Sequence, residues 1–230
     1  MTPNPTSLFS QRPNLERSPD TASDWLLWQL ADSSFPSGGF AHSSGLEAAW
    51  QLGEIRTGEQ LGLFAEAQFL QLRRFVLPFV AATHEEPSQL AQVDELFEQH
   101  TTNHIANQAS RAQGLALLAS ARRIFGMVEI TPPCGHLAPV FGVLGATLGL
   151  GRKDTLSLFA FNHLRNLTAS AVRLNLVGPL EAQTLQRRLA RLGQGGFESL
   201  PSLEHVAQTS PLLDLWQGVQ TRLYSRLFRS

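Results

Sequence analysis

Residues 103–125 read NHIANQASRAQGLALLASARRIF. Ala and Leu recur there on one face at helical spacing, and Gly126 stands where a left-handed C-cap belongs. The stretch predicts one long helix from Asn103 to Phe125, and the chain on either side reads the same way. Upstream, Thr57 and Gln60 form a T-x-x-Q capping box ahead of Leu61, Phe64, Ala65, Phe69 and Leu72. That helix runs to the region of Pro78, which ends or kinks it. Pro87 opens the next, which carries Leu90, Val93, Leu96 and Phe97. Trp25 to Leu30 is a short helix that stops before Pro36, and Ser43 or Ser44 caps another that runs to about Leu52.

Downstream, Pro132, Pro133 and Gly135 make residues 130–136 a loop. Leu137 to Leu150 is small and apolar, and reads as a buried helix whose Gly142, Gly145 and Gly149 allow close packing. Asp154 begins a helix through Val177, stopped by Gly178-Pro179, and Leu180 to Leu192 continues before a loop at Gly193–Gly196. Ser210-Pro211 opens the last helix. Its Leu212, Trp216, Val219, Leu223 and Leu227 recur at helical spacing to the chain end.

No stretch alternates apolar and polar residues with β-branched enrichment over more than a few positions, as a strand would, and no fixed-period repeat occurs. The sequence therefore predicts an all-α fold: a single helical domain of about nine or ten helices over residues 24–230. A Pro-rich flexible tail precedes it at 1–23, and an amphipathic partner-binding helix closes it at about 211–228.

The chain has 230 residues, 43% apolar and 16% charged, with a net charge of −1. That balance argues against a disordered chain and against a nucleic-acid binder, which carries a basic excess. Residues 1–150 hold 8 basic and 14 acidic side chains, and residues 151–230 hold 10 and 5. Such asymmetry marks either partner surfaces or an internal charge match. The single Cys134 excludes an intramolecular disulfide and a Cys-rich metal cluster. With no secretory signal and no long uncharged apolar run, a cytoplasmic chain is expected.

Motifs for chemistry are sparse. There is no G-x-x-x-x-G-K-[ST], so nucleotide hydrolysis by that route is not expected. His100 and His104 share a face if their helix is continuous. Thr101 stands where a zincin needs Glu, so the pair reads as surface histidines. Cys134-Gly135-His136 offers a soft-metal contact or a thiol–imidazole pair, but no third partner stands near it in sequence. His100, His104, Cys134 and His136 are the candidate metal contacts, and no complete ligand set is legible.

The segment WQLADSSFPSGGFAHSSGLE at 28–47 resembles the opening of the UreF-type urease accessory proteins. So do APVFG at 138–142, AVRLNLVGP at 171–179 and QTSPLLD at 208–214, in the family's order, together with SRLF at 225–228. The resemblance covers about residues 24–230. It implies an all-α homodimer without enzymatic activity that serves urease maturation. Such a protein bridges a UreD/UreH-type scaffold and a UreG-type GTPase. The assembly acts on the urease apoprotein, which receives nickel and a carbamylated lysine. It also implies no tightly bound cofactor: nickel is handled by the assembled complex, and GTP is bound by the partner.

Roles for the matching positions follow. Pro36, Gly38 and Gly39 set a turn, with Gly39→Val expected to misfold it if φ is positive there. Phe40 anchors the turn in the core or, alternatively, a partner. His42 caps, bonds a carbonyl or touches nickel. Glu47 suits its helix dipole or pairs with an Arg. Arg173 is a candidate for an ion pair, Asn175 satisfies backbone groups at its helix end, and Asp214 sits in the first turn of the last helix. Trp216, Leu223 and Leu227, beside Arg222 and Arg226, form a stripe expected either to dock a partner or to pack on the chain's own domain. Removing residues 222–230 is expected to abolish scaffold binding and leave the domain folded. Two other classes compete: a nickel-handling protein using His42, His100, His104, Cys134 and His136, and a helical enzyme with a thiol–imidazole site.

Overall fold

The computed structural model describes residues 21–126, 130–193 and 197–230. The described residues hold ten α-helical segments and no strand. They are α1 (Thr21–Ala31), α2 (Leu46–Gln51), α3 (Gly58–Gln71), α4 (Leu77–Glu85), α5 (Leu90–His100), α6 (His104–Phe125), α7 (Leu137–Thr147), α8 (Arg152–Arg173), α9 (Pro179–Gly193) and α10 (Pro211–Val219). Of the expected tail, 1–20 lie outside the described residues, and Thr21–Ser23 already belong to α1.

α7 is the centre. Every residue from Ala138 to Gly145 is buried, as a helix apolar all round must be. α4, α5, α6 and α8 pack around it, and α9 lies on α8. A Cβ at Gly142 would meet Thr83 and the Val80 carbonyl, so this glycine does let α4 and α7 close up. α6 matches its sequence signals: the Asn103 side chain accepts from the Ile105 and Ala106 amides, and Gly126 closes the helix at φ +63°.

Three elements end differently from their sequence signals. Pro78 does not end its helical run. α3 passes into α4 through a π-turn, Leu72–Val76. Pro78 brings no N–H to the Arg74 carbonyl one turn back, and the Ala207 amide fills that place at 3.3 Å. α8 stops at Arg173, before Gly178-Pro179. Asn175 adopts φ +58°, its amide bonds the Val172 carbonyl (2.9 Å), and the Leu176 amide bonds the Ala171 carbonyl (3.0 Å). That is a Schellman cap built on Asn in place of Gly. Asn175 serves the helix end through its backbone amide and left-handed dihedral, where a side-chain contact was the expectation.

The third is the chain end. The helix expected over 211–228 stops at Val219 and passes through a 3-10 turn, Gln220–Arg222, into an extended strap from Leu223. Of the expected stripe, Leu212 and Leu227 are exposed, and Trp216, Val219 and Leu223 are half-buried. Leu213 and Phe228 are the buried apolar residues of this segment. α10 lies on its own domain: Trp216 packs on Phe64 with ring centroids 5.7 Å apart, and the Asp214 carbonyl accepts from the Asn103 side chain (2.8 Å).

The two charge excesses meet in part inside the molecule. Arg152 pairs with Glu85 (2.5 Å) and Arg188 with Glu66 (3.3 Å), joining the basic C-terminal part to the acidic N-terminal part.

Candidate functional site

The strap and the Gly-Gly turn form one unit. α1 ends where α8 side chains reach its last carbonyls: Asn162 donates to Leu30 (3.2 Å) and Arg165 to Ala31. Asp32 then accepts from the Ser34 amide and hydroxyl (2.6 Å each), and Ser120 of α6 donates to the Pro36 carbonyl (2.8 Å). These contacts aim residues 36–41 outward. Gly38 takes φ +76°, and Gly39–Ala41 form a 3-10 turn. The positive φ therefore falls at Gly38. Gly39 is glycine because a Cβ there would strike the Asn166 amide.

Phe40 is not a core anchor. Its ring is 70% exposed, because its own turn and α6 pin the backbone and leave the side chain outside. Its carbonyl accepts from the Arg173 guanidinium (2.5 Å), which also lies 4.3 Å from the centre of the Phe228 ring. Arg173 thus joins turn to strap through a carbonyl and a ring, where an ion pair was the expectation.

Glu47 explains why the last helix stops. Its carboxylate is 1% exposed and accepts three hydrogen bonds from the chain end: Leu227 N (2.6 Å), Phe228 N (3.1 Å) and the Gln220 side-chain amide (2.6 Å). The role expected for it was a helix dipole or an Arg partner. In a continued helix the Leu227 and Phe228 amides would bond carbonyls one turn back and leave this buried carboxylate unpaired. An unpaired buried charge costs several kcal/mol, more than a single turn of helix returns. Beyond Phe228, Arg229 N donates to the Ala41 carbonyl (2.8 Å), Ser43 N donates to the Ser230 carbonyl (2.5 Å), and His42 Nδ1 lies 2.6 Å from Ser230 Oγ. Ser43 also accepts from the Glu47 amide (3.3 Å), although Gly45 is the residue that caps α2.

Burial, with Arg229 adding its charge, pushes His42 down to about 4. Burial alone pushes His163 of α8 to about 4. Both line a partly open cavity of about 110 Å³ beneath the turn, together with Ser44, Gln113 and Asn166. Among its walls, His163 Nε2 and Asn162 Oδ1 are buried without a protein partner. The cavity is polar enough for ordered water. Outside, a groove of about 540 Å³ runs between α6 and the strap, lined by Ile105, Gln108, Arg226, Leu227 and Arg229. Arg222 and Tyr224 are exposed, and burial raises the half-buried Asp214 carboxyl.

His100 and His104 are surface histidines, as their sequence context implied, and their helix is not continuous: His100 ends α5 and His104 begins α6. His100 abuts Phe75 and Phe79. Among the described residues, one group of three potential ligands comes together: Glu98, Cys134 and His136, whose donor atoms all lie within 4.8 Å of one another. Sequence reading found Cys134 and His136 and missed Glu98, which lies 38 positions from His136 on another helix. It likewise missed Gln220, His163 and Asp94, for which one sequence carries no local signal. Burial, together with the Asp94 and Glu98 carboxylates, pushes the Cys134 thiol up, the reverse of what an activated thiolate needs.

Residues 17–190 match the family UreF. Urease accessory protein F of Oryza sativa subsp. japonica is 34% identical over 235 residues, covering 96% of this chain and 90% of the relative. That of Arabidopsis thaliana is 35% identical over 221 residues, covering 90% and 92%. Urease accessory protein UreF of Bacillus sp. (strain TB-90) is 25% identical over 221 residues, covering 89% and 97%. With an all-helical fold and a family match over most of its length, the chain belongs to the UreF family of urease accessory proteins.

Proposed function

We propose that this chain is a non-catalytic maturation factor that docks a UreD/UreH-type scaffold through the strap and the turn beside it. The observation that carries the reading is two exposed apolar side chains, Phe40 (70%) on the turn and Leu227 (60%) beside Arg226 on the strap, on a backbone held by Arg173 and Glu47. A rigid patch of that kind loses little conformational entropy on binding, and an aromatic flanked by Arg is a common binding hot spot.

Bound this way, the protein bridges the scaffold to a UreG-type GTPase and to the urease apoprotein during nickel insertion. It acts in the cytoplasm as a homodimer. No described helix is long and apolar enough to cross a membrane, and the family's relatives are named as accessory proteins. Any effect on GTP hydrolysis works by preferring one nucleotide state of the GTPase, since a partner shifts an equilibrium only by its differential affinity. Equal affinity for the two states would exclude that effect.

The test is a urease operon lacking its UreF-type gene, co-expressed with this chain and its own scaffold and GTPase. Urease activity and nickel per active site should both rise. The variant Phe40→Ala/Leu227→Ala should leave both low and lose co-purification with the scaffold. No rise and no co-purification with the intact chain would contradict the proposal. Deleting 222–230 removes two of the three hydrogen-bond donors to Glu47 and so disturbs the turn as well.

A further inference from the structure

We infer that Glu98, Cys134 and His136 form a binding site for one borderline divalent transition-metal ion, lying between α5 and the loop before α7. The site is separate from the docking surface and requires nothing of it.

The loop is built to present these groups. Asp94 of α5 accepts the amides of Cys134 (2.7 Å), Gly135 (2.7 Å) and His136 (2.9 Å), and Gly135 bends the chain at φ +81°. A single carboxylate thus fixes three consecutive residues, and the side chains at both ends face Glu98, one turn further along α5. The His136 ring is fully buried and held from both sides: Nε2 lies 2.6 Å from Glu98 Oε2, and Nδ1 lies 3.2 Å from Ser110 Oγ of α6. Metal-bound histidines are oriented by such a partner on the second ring nitrogen. Glu98 is 37% exposed along its side chain, and Cys134 is half-buried, so an ion has a route in.

The donor set is a thiolate, an imidazole and a carboxylate. That mixture of S, N and O selects zinc-like ions over magnesium or calcium, and three protein ligands leave a fourth position open. An ionised carboxylate only accepts, so the proton between His136 and Glu98 sits on Nε2 when no ion is bound. The ion takes that proton's place. The imidazole stays neutral by carrying its proton on Nδ1 instead, with Ser110 Oγ changing from donor to acceptor. The Cys134 S–H bond breaks, sulfur bonds the metal, and about one proton per ion leaves for solvent. Metal–ligand bonds of about 2.0–2.3 Å need Nε2 and Oε2 further apart than they now stand. Glu98, half in solvent on the last turn of α5, is the residue that retracts, lengthening the hydrogen bond that its Oε2 accepts from the Asn107 side chain (3.0 Å).

Titrating the full chain with Co²⁺ and Zn²⁺ tests this. The expected result is one ion per chain, a thiolate-to-cobalt charge-transfer band, and protection of Cys134 from alkylation by Zn²⁺. Cys134→Ser should lose the band, and Glu98→Gln should weaken binding of both ions. His104→Ala, an exposed histidine outside the trio, should change nothing. Circular dichroism checks that the variants stay folded, as the partial exposure of both side chains leads one to expect. Absence of the band in the intact chain, or a band that survives Cys134→Ser, would overturn the assignment.

Discussion

α6 and the segment 211–230 carry the same kind of apolar spacing, yet α6 runs helical for 22 residues and the other stops after nine. The difference lies in what else the backbone is asked to do. α6 has its own caps, and the amides along its length face no rival acceptor. The C-terminal amides face Glu47, a buried carboxylate from α2 that takes two of them and Gln220 as well. Helical periodicity records side-chain spacing along one segment. It holds no record of an acceptor 180 positions away.

Glu47→Ala should break this contrast most severely. The Gln220 side chain keeps the Phe228 carbonyl (3.3 Å), but the Leu227 and Phe228 amides lose their acceptor, each worth roughly 1–3 kcal/mol, so a loss of about 2–6 kcal/mol is expected in denaturant unfolding. Leu117→Ala in α6, where the residue is 1% exposed, should cost about 2–5 kcal/mol and leave the strap's protease resistance intact. Glu47→Ala should instead expose the strap to proteolysis under native conditions. Equal sensitivity of the strap in both variants would remove the distinction.

The turn offers a smaller test. Gly39→Val is expected to destabilise more than Gly38→Ala. The first drives a branched side chain into Asn166, while the second meets only an Ala116 methyl at 3.9 Å and carries about 1–3 kcal/mol for its positive φ. The reverse order in thermal melts would mean the turn is set by dihedral angle alone.

Acid should loosen the same region. His42 and His163 are held at about 4, below the ordinary 6.5, so both fold as neutral rings. The unfolded chain binds protons first as pH falls. Stability is therefore complete above about pH 6.5, declines from there towards pH 4, and levels off below. His163→Asn should flatten that decline in melts taken between those limits, and an unchanged slope would count against the burial argument. Smallest of all, Arg173→Lys should cost about 0.5–1 kcal/mol by loosening the guanidinium from the Phe228 ring.

Much of the fold was legible because its signals are local. The Thr57–Gln60 box, Asn103 with Gly126, and the wholly apolar α7 each announce themselves within a few residues. Where the reading failed, a distant group decided. Ala207 relieves the Pro78 break, Glu47 unwinds the last helix, and α6 pins the turn so that Phe40 points out. The candidate site was half legible for the same reason. Its turn residues and Glu47 were marked by resemblance, while Gln220, Ser230 and the cavity histidine His163 enter only once the strap folds back.

The most direct test is residue-resolved amide hydrogen exchange across 219–230 in the intact chain and in Glu47→Ala. The strap predicts protected amides at Leu227, Phe228 and Arg229, fast exchange at the exposed Tyr224, Ser225 and Arg226, and loss of protection at Leu227 and Phe228 in the variant. Continuous protection from Val219 through Phe228 that survives Glu47→Ala would be the signature of a helix, and would contradict the account.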